Sequence, residues 1–466
     1  MEKPNIYLFN YNNSYYFYDV NKNSIVETSK DAYEYLTLGC VKSKDIDEEI
    51  EKLKIEGFLL CNKPRFIEHP CTAEVKELLN SNINRVCLQI TQSCNLRCKY
   101  CVYSGLYNNR IHTNSEMGFD VAKKAIDFLV DHSSNNDLVD IGFYGGEPLL
   151  RYSFIEKCID YALNVCEGKT VSFSITTNGT LLTEKMIERF IESNVELTIS
   201  LDGPRSVHNR NRILKNGEGS FDLLMSKIEM IKKQYPEYAD EISYNMVIDQ
   251  RSTDLDEIIS FVANSKVIEN NYITATTIAT DGSKEPIFSC REFRESNRYG
   301  EFRYMLSLLN RISQNCPDLK LWRGSFKKLE QFARDTRKNS RILGEKEHHS
   351  GPCIPGQLRL FVNTNGDFYP CERVSESSKE MVIGNVESGF DYKKIIKLLN
   401  IGMLTEGECK NCYAIRNCTI CSASADDNGI LSRNVKLRAC EESRYSFSEM
   451  LLDLCALNKA GFSIDD

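Results

Sequence analysis

The chain has 466 residues, 41% of them hydrophobic and 27% charged, the balance of a globular protein with more than one core. A formal net charge of −8 and a pI near 5.6 argue against a generic nucleic-acid binder. No apolar run is long enough for a transmembrane helix, and "MEKPNIYLFNYNN" lacks a basic stretch followed by an apolar one, so a cytoplasmic protein with no membrane partner is expected.

Residues 5–27, "NIYLFNYNNSYYFYDVNKNSIVE", read as short aromatic-rich strands. They break at Asn12-Asn13 and at Asn21-Lys22-Asn23, where asparagine tolerates left-handed backbone. Two helical patterns follow, "SKDAYEYLTL" capped by Ser29 and "DIDEEIEKLKIEGFLL" ending near Gly57. Strands followed by helices over this span predict a small separate domain of winged-helix appearance, although it is not basic.

From Cys87 the pattern changes to strand–helix alternation. Strand-like runs occur at "VCLQIT", "LVDIGFYG", "VSFSITTN", "VELTISLDG", "ISYNMVID" and "YITATTIAT". Helical patterns such as "GFDVAKKAIDFLVDH" and "YSFIEKCIDYALNVC" lie between them. Such alternation predicts an α/β fold with a parallel sheet and chemistry at the carboxyl ends of its strands. Cys94, Gly145-Gly146-Glu147, Thr177-Asn178 and Asp202-Gly203 all fall there. Residues 285–350 read as a mostly helical, charged connector, with the adjacent His348 and His349 in a solvated loop.

The 19 cysteines are the anomaly, and in a chain without export signals spaced cysteines point to metal or catalysis. Nine are scattered (Cys40, Cys61, Cys71, Cys87, Cys158, Cys166, Cys290, Cys316 and Cys455) and are expected to be mostly buried packing residues. Cys94, Cys98 and Cys101 have the spacing C-x3-C-x2-C. Three thiolates suit either a zinc knuckle with a distant fourth ligand or a cubane iron–sulfur cluster with one open iron. An open iron holds an amino-acid cofactor through its amine and carboxylate. In "FYGGEPLL", Gly145 and Gly146 permit close backbone approach and Glu147 offers a carboxylate to an ammonium.

"CNLRCKYC" followed in order by "GGEP", "TTNGTLL" and "SLDGP" resembles the radical S-adenosylmethionine (SAM) superfamily over roughly residues 87–280. The resemblance implies a partial (β/α)6 barrel with a [4Fe–4S] cluster on Cys94, Cys98 and Cys101 and SAM on its open iron. Gly145, Gly146 and Glu147 would lie near the cofactor's amino group. Tyr100 would lie against its base, and Thr177, Asn178, Ser200 and Asp202 by its ribose. Arg212, in preference to Arg210, would meet its carboxylate. Reductive cleavage would then give a 5′-deoxyadenosyl radical that abstracts hydrogen from substrate.

Cys353, Gly366 and Cys371 have the spacing C-x12-G-x4-C, with the glycine turning a hairpin. "CKNCYAIRNCTIC" adds Cys409, Cys412, Cys418 and Cys421, and Cys440 follows. Paired zinc ribbons are the alternative. The set resembles the SPASM extension, which implies two auxiliary [4Fe–4S] clusters and three in all. Cys409, Cys412, Cys418 and Cys440 would hold one, and Cys353, Cys371 and Cys421 the other. Members with a fully ligated cluster of the latter kind carry another cysteine a few residues after the first. "IPGQLRL" after Cys353 contains none, so the resemblance leaves room on that cluster for an iron open to a substrate thiolate.

The organisation expected is a winged-helix-like leader-binding domain at 1–75, a linker at 76–86 and the radical SAM barrel at 87–284. A helical bridging region at 285–350, the SPASM domain at 351–445 and a C-terminal helix at 446–466 complete it. The N-terminal domain resembles those through which peptide maturases bind leaders by strand addition. The reading is a maturase that installs thioether crosslinks in a ribosomally made, cysteine-containing peptide, as in sactipeptides and ranthipeptides. Its redox partner would be of flavodoxin or ferredoxin type, and no nucleic acid is expected. Carbon–carbon crosslinking, formylglycine formation on sulfatases and a zinc-dependent nucleic-acid-binding module are the alternatives. Glu372, directly after Cys371, is the candidate base.

Overall fold

Three antiparallel strands, β1 (Ile6–Tyr11), β2 (Ser14–Asp19) and β3 (Ser24–Thr28), begin the chain and lie in the order β1-β2-β3. They turn where Asn12, Asn13 and Asn23 take positive φ of 47°, 62° and 52°. The Ser29 hydroxyl caps helix Lys30–Leu38 by accepting from the Ala32 N–H at 3.1 Å, and helix Lys44–Ile55 follows. Phe17, Ala32, Ile46, Ile50, Leu53 and Leu59 form a core of their own. Phe9, Tyr16, Tyr18 and Val20 instead join the main core, so both faces of this sheet are covered. The computed structural model describes residues 3–39, 43–280, 282–338 and 341–462.

After the short β4 (Phe66–Ile67), six strands follow at the pace the sequence predicts. They are β5 (Arg85–Thr91), β6 (Leu138–Gly145), β7 (Thr170–Thr177), β8 (Val195–Ser200), β9 (Ser243–Ile248) and β10 (Ile273–Thr277). Each pairs in parallel with the next, the chain-order sheet of a partial (β/α)6 barrel. One face is apolar: Val86, Leu88, Ile141, Phe173 and Leu197 are buried there against helices such as Phe119–Asp131 and Tyr152–Val165. The other is polar: Arg85 pairs with Asp140 at 2.7 Å and donates to the Ser174 hydroxyl at 2.6 Å.

The connector contains helices Arg291–Leu308 and Arg323–Asp335. It ends in β11 (Lys346–Glu347), which pairs in parallel with β4. This pairing draws His348 and His349 inward, so the expectation of a solvated loop is wrong: they are 9% and 3% exposed. The His348 ring accepts from the Gly402 N–H at 2.9 Å, and its other nitrogen lies 2.9 Å from the His349 carbonyl.

Beyond the connector the chain returns to the barrel sheet, which the sequence did not predict. β12 (Leu360–Val362) pairs in parallel with β5, and β13 (Asp367–Tyr369), β14 (Gly384–Asn385) and β15 (Gly389–Phe390) continue from it antiparallel, making ten strands. Gly366 turns the β12–β13 hairpin at φ +87°. Helix Arg433–Lys459 ends the described chain and carries Cys440. Of the scattered cysteines, Cys87, Cys158, Cys166 and Cys455 are buried, while Cys61, Cys71, Cys290 and Cys316 are half-buried; Cys40 lies outside the described residues. Among the described residues, no helix is long and apolar enough to cross a membrane.

Candidate active site

β5 runs into the cysteine loop, and the Gly145-Gly146-Glu147 turn at the end of β6 sits directly against it. A Cβ on Gly145 would stand 1.9 Å from the Thr91 carbonyl oxygen, and one on Gly146 2.1 Å from that of Ser93. The Gly146 and Glu147 N–H groups donate to those same two carbonyls at 2.9 Å. The close approach that the glycines permit is thus to the strand that positions Cys94.

Glu147, 1% exposed, ties the ends of β6 and β7 together. One carboxylate oxygen accepts from the Thr177 hydroxyl at 2.6 Å and the Leu149 N–H at 3.0 Å, the other from the Asn178 N–H at 2.8 Å. Burial raises its pKa against those donors. A carboxylate has about four acceptor sites, so Glu147 retains room for one more donor. The Asn178 amide donates to Asn95 at 2.8 Å and accepts from the Thr180 hydroxyl at 2.6 Å. Asn95 stands in the cysteine loop and Thr180 inside the "TTNGTLL" motif, but the sequence reading did not foresee that both bond to Asn178.

Asp202 is different in being paired with a cation. It accepts one hydrogen bond from Arg212 at 3.0 Å, one from the Val247 N–H at 3.0 Å and one from the Tyr100 hydroxyl, and the Arg212 Nε lies in ion-pair contact at 2.9 Å without a hydrogen bond of its own. The Arg212 guanidinium also lies over the Tyr100 ring, 5.5 Å from its centre. Segment 211–214 is held along the cysteine loop, with Arg97 N–H on the Ile213 carbonyl and Lys99 N–H on that of Asn211. Arg212, expected to await a carboxylate, is therefore engaged by Asp202, and Arg210 pairs with Asp254. Ser200 is buried at the end of β8, two residues before Asp202.

The cysteines gather into three groups. Burial pushes the Cys98 thiol up to about 12, with Cys101 and Cys94 raising it and Arg212 opposing. Cys94 stands at about 11 for the same first reason. Burial raises Cys371 to about 11, and Cys421 and Cys353 add to it. Burial likewise holds Cys412 at about 11, with Cys418 and Cys409 adding, while Cys440 is raised by burial and by Cys409 and Cys418. The groups are thus Cys94/Cys98/Cys101, Cys353/Cys371/Cys421 and Cys409/Cys412/Cys418/Cys440.

One local feature recurs in all three. The Leu96 N–H donates to the Cys94 sulfur at 3.3 Å, and the main-chain N–H two residues on favours the thiolate of Cys101, Cys371, Cys412 and Cys418 in the same way. Side chains add to this: the Thr405 hydroxyl lies 3.3 Å from the Cys409 sulfur, and Ser443 donates to Cys418 at 3.7 Å. Donors aimed at sulfur favour thiolates and tune iron–sulfur clusters. Burial by itself keeps these groups as neutral thiols, and holding them together as thiolates would take a multivalent cation, which metal supplies. Among the described residues, no three His, Cys, Asp or Glu side chains converge as ligands of one metal ion. A cluster, whose thiolates sit on separate irons, does not need that convergence.

Glu372 pairs with Arg359, and its second carboxylate oxygen is buried without a hydrogen-bond partner. Nearby is a pair the sequence did not suggest. Arg110 and Glu376, 4% and 9% exposed in their side chains, meet at 2.6 Å, and Arg110 also donates to the carbonyls of Glu372 and Val374. Gln89 of β5 donates to Glu376 at 2.7 Å and to the Tyr103 hydroxyl at 2.9 Å.

Residues 88–262 match the family model of the radical SAM superfamily, and the chain carries a radical SAM domain. That family implies SAM and a [4Fe–4S] cluster, which the Cys94/Cys98/Cys101 group fits. Among curated relatives, the radical SAM cyclopropyl synthase TigE of Paramaledivibacter caminithermalis is 26% identical over 253 residues, 50% of this chain and 51% of that protein. The serine-type anaerobic sulfatase-maturating enzyme of Bacteroides thetaiotaomicron is 36% identical over 150 residues, 31% of this chain and 35% of that protein. The chain thus spans about half the length of these relatives, or less. The solved structure of native anSMEcpe with bound AdoMet and Cp18Cys peptide superimposes with a TM-score of 0.58 at 19% identity, covering 80% of this chain and 99% of that one. At that identity the likeness is one of fold.

Proposed function

We propose that the chain is a radical SAM maturase that joins a cysteine sulfur of a ribosomally made peptide to a carbon of the same peptide. Cys94, Cys98 and Cys101 would hold the [4Fe–4S] cluster, and SAM bound there would supply, on reduction, a 5′-deoxyadenosyl radical. Per crosslink the peptide loses one thiol proton, one carbon-bound hydrogen atom and one electron. The hydrogen atom ends on 5′-deoxyadenosine. The electron passes to a one-electron carrier of flavodoxin or ferredoxin type, which also supplies the reducing electron.

The observation that carries this reading is the group of three, Cys353, Cys371 and Cys421, with Glu372 beside it. Three thiolates leave space for a fourth from the peptide. The unpartnered Glu372 oxygen supports a role for this carboxylate as the base that takes a proton from a group arriving there. Cys409, Cys412, Cys418 and Cys440 would hold a third, fully ligated cluster in a SPASM-type domain. Residues 1–75 would hold the leader. β3 has a strand neighbour on one side only, so its outer edge offers a ladder to an extended peptide. Tethering there raises the peptide's effective concentration at the barrel.

Formylglycine formation is the second reading, favoured by the sulfatase-maturating relative. One experiment separates them. Anaerobically reconstituted protein, SAM and a reductant are incubated with a small cysteine-containing peptide encoded nearby, and products are followed by mass spectrometry. Loss of two hydrogens per crosslink together with loss of alkylatable thiol supports the thioether. An aldehyde captured by a hydrazide supports the second reading, and 5′-deoxyadenosine with an unchanged peptide overturns this choice of substrate.

A further inference from the structure

Lys436 is completely buried in the first turn of helix Arg433–Lys459. That is the positive end of the helix, an unfavourable place for a cation. Its ammonium donates to the Thr405 hydroxyl at 2.6 Å and reaches the Cys409 sulfur at 3.8 Å. Thr405 is itself fully buried and lies 3.3 Å from the same sulfur. Among the described residues no carboxylate stands within ion-pair distance of Lys436. An uncompensated buried ammonium costs several kcal/mol, so an anion must balance it.

Helical spacing says where that anion is. Lys436 lies four residues before Cys440 on one helix, so the two share a face. Thr405 lies four residues before Cys409 in the segment packed on that helix. The ammonium therefore sits at the group Cys409, Cys412, Cys418 and Cys440, and among the described residues no carboxylate is in ion-pair contact with it. Four thiolates on a [4Fe–4S] centre leave it net negative, and reduction adds one further negative charge. A fixed cation inside the protein favours the more negative state, weakly screened by solvent.

Resting on the cluster assignment above, we propose that Lys436 is the built-in counter-charge of the centre on Cys409, Cys412, Cys418 and Cys440, and that it raises that centre's reduction potential. The centre then accepts an electron more readily than its four-thiolate ligation alone would allow. Thr405 acts as a positioning residue, fixing the ammonium against Cys409.

The test is a potentiometric titration of the full-length reconstituted protein followed by electron paramagnetic resonance, with iron and sulfide assayed on the same samples. Lys436→Met is expected to keep the wild-type iron and sulfide and to move one midpoint potential to a more negative value. Lys436→Arg is expected to hold that potential near the wild-type value. Thr405→Val, which keeps the cation but loosens it, is expected to give a smaller negative shift. Unmoved potentials in Lys436→Met at full iron content would overturn the inference, as would equal loss of iron in the Met and Arg variants. A Cys409→Ser/Cys412→Ser variant separates failure of the inference from failure of the assignment: iron unchanged there removes the centre itself.

Discussion

Asp202 and Arg212 meet through one hydrogen bond of 3.0 Å and an ion-pair contact of 2.9 Å beneath the cysteine loop. Both side chains are less than a tenth exposed, and Tyr100 donates to the same carboxylate. Removing one partner of such a pair leaves the other charge buried, a loss of about 3–5 kcal/mol. Urea unfolding of Arg212→Met, Asp202→Asn and the double variant should therefore be non-additive, the double variant resembling the worse single one. A double variant that loses the sum of the two would contradict the pairing.

Gly145 and Gly146 leave no room for a side chain between the Gly-Gly-Glu turn and residues 91–93. Gly146→Ala would push the Ser93 carbonyl and displace Cys94. Overpacking of this kind costs about 1–3 kcal/mol, and the φ of +135° makes Gly145→Ala worse. Reconstituted Gly146→Ala should bind less iron, by up to one cluster, and melt earlier. Full iron content with an unchanged melting point would show that the loop moves freely.

Burial lowers the pKa of His348 to about 4 and that of His349 to about 2, so both are neutral in the fold at ordinary pH. Unfolded histidine titrates near 6.5. Between about pH 6.5 and 4 the unfolded chain thus binds protons that the folded chain does not, and stability falls as pH falls. Each histidine contributes a slope of about 1.4 kcal/mol per pH unit. His349→Leu should flatten the stability profile by one proton across this window. Neither ring nitrogen of His349 has a hydrogen-bond partner, so the variant should be no less stable at pH 7. Parallel profiles for variant and wild type would mean that His349 does not titrate differently on unfolding.

The Arg110–Glu376 pair clamps the loop after the third cysteine of the first group to the segment that carries Glu372. Glu376→Ala should cost about 3–5 kcal/mol, because Arg110 stays buried. Arg359→Met, at a pair with one partner nearly half exposed, should cost about 1 kcal/mol or less. Equal losses in the two variants would show that burial does not separate these pairs.

The barrel strands were legible because each is a run of apolar and β-branched residues bounded by turn residues. "LVDIGFYG", for example, is β6 from end to end. The motif residues were legible because the parallel fold places strand ends together. What could not be read was long-range. Nothing local in "LRLFVNTNGDFY" says that Leu360 pairs with Val86, since a short apolar run joins any sheet that its register fits. His348 and His349 look like loop residues until β11 pairs with β4. Lys436 and Thr405 did leave a signal, each standing one helical turn before a cysteine, but it means something only once those segments are known to be helical. Asp202 and Arg212 were both singled out for a ligand, and sequence gave no sign that they hold each other.

The pairing of β12 onto β5 has a consequence for the nascent chain. β5 is the first strand of the barrel to leave the ribosome, yet its second neighbour is not synthesised until residue 362. For most of translation Val86, Leu88 and Ile90 belong to an open edge, the kind of surface that recruits a stray strand. The first edge of the barrel is thus covered only by a strand that emerges long after the other five. A ribosome stalled before residue 360, or a protein truncated there, would release six strands with a sticky first edge, so late translation and aggregation compete directly at β5.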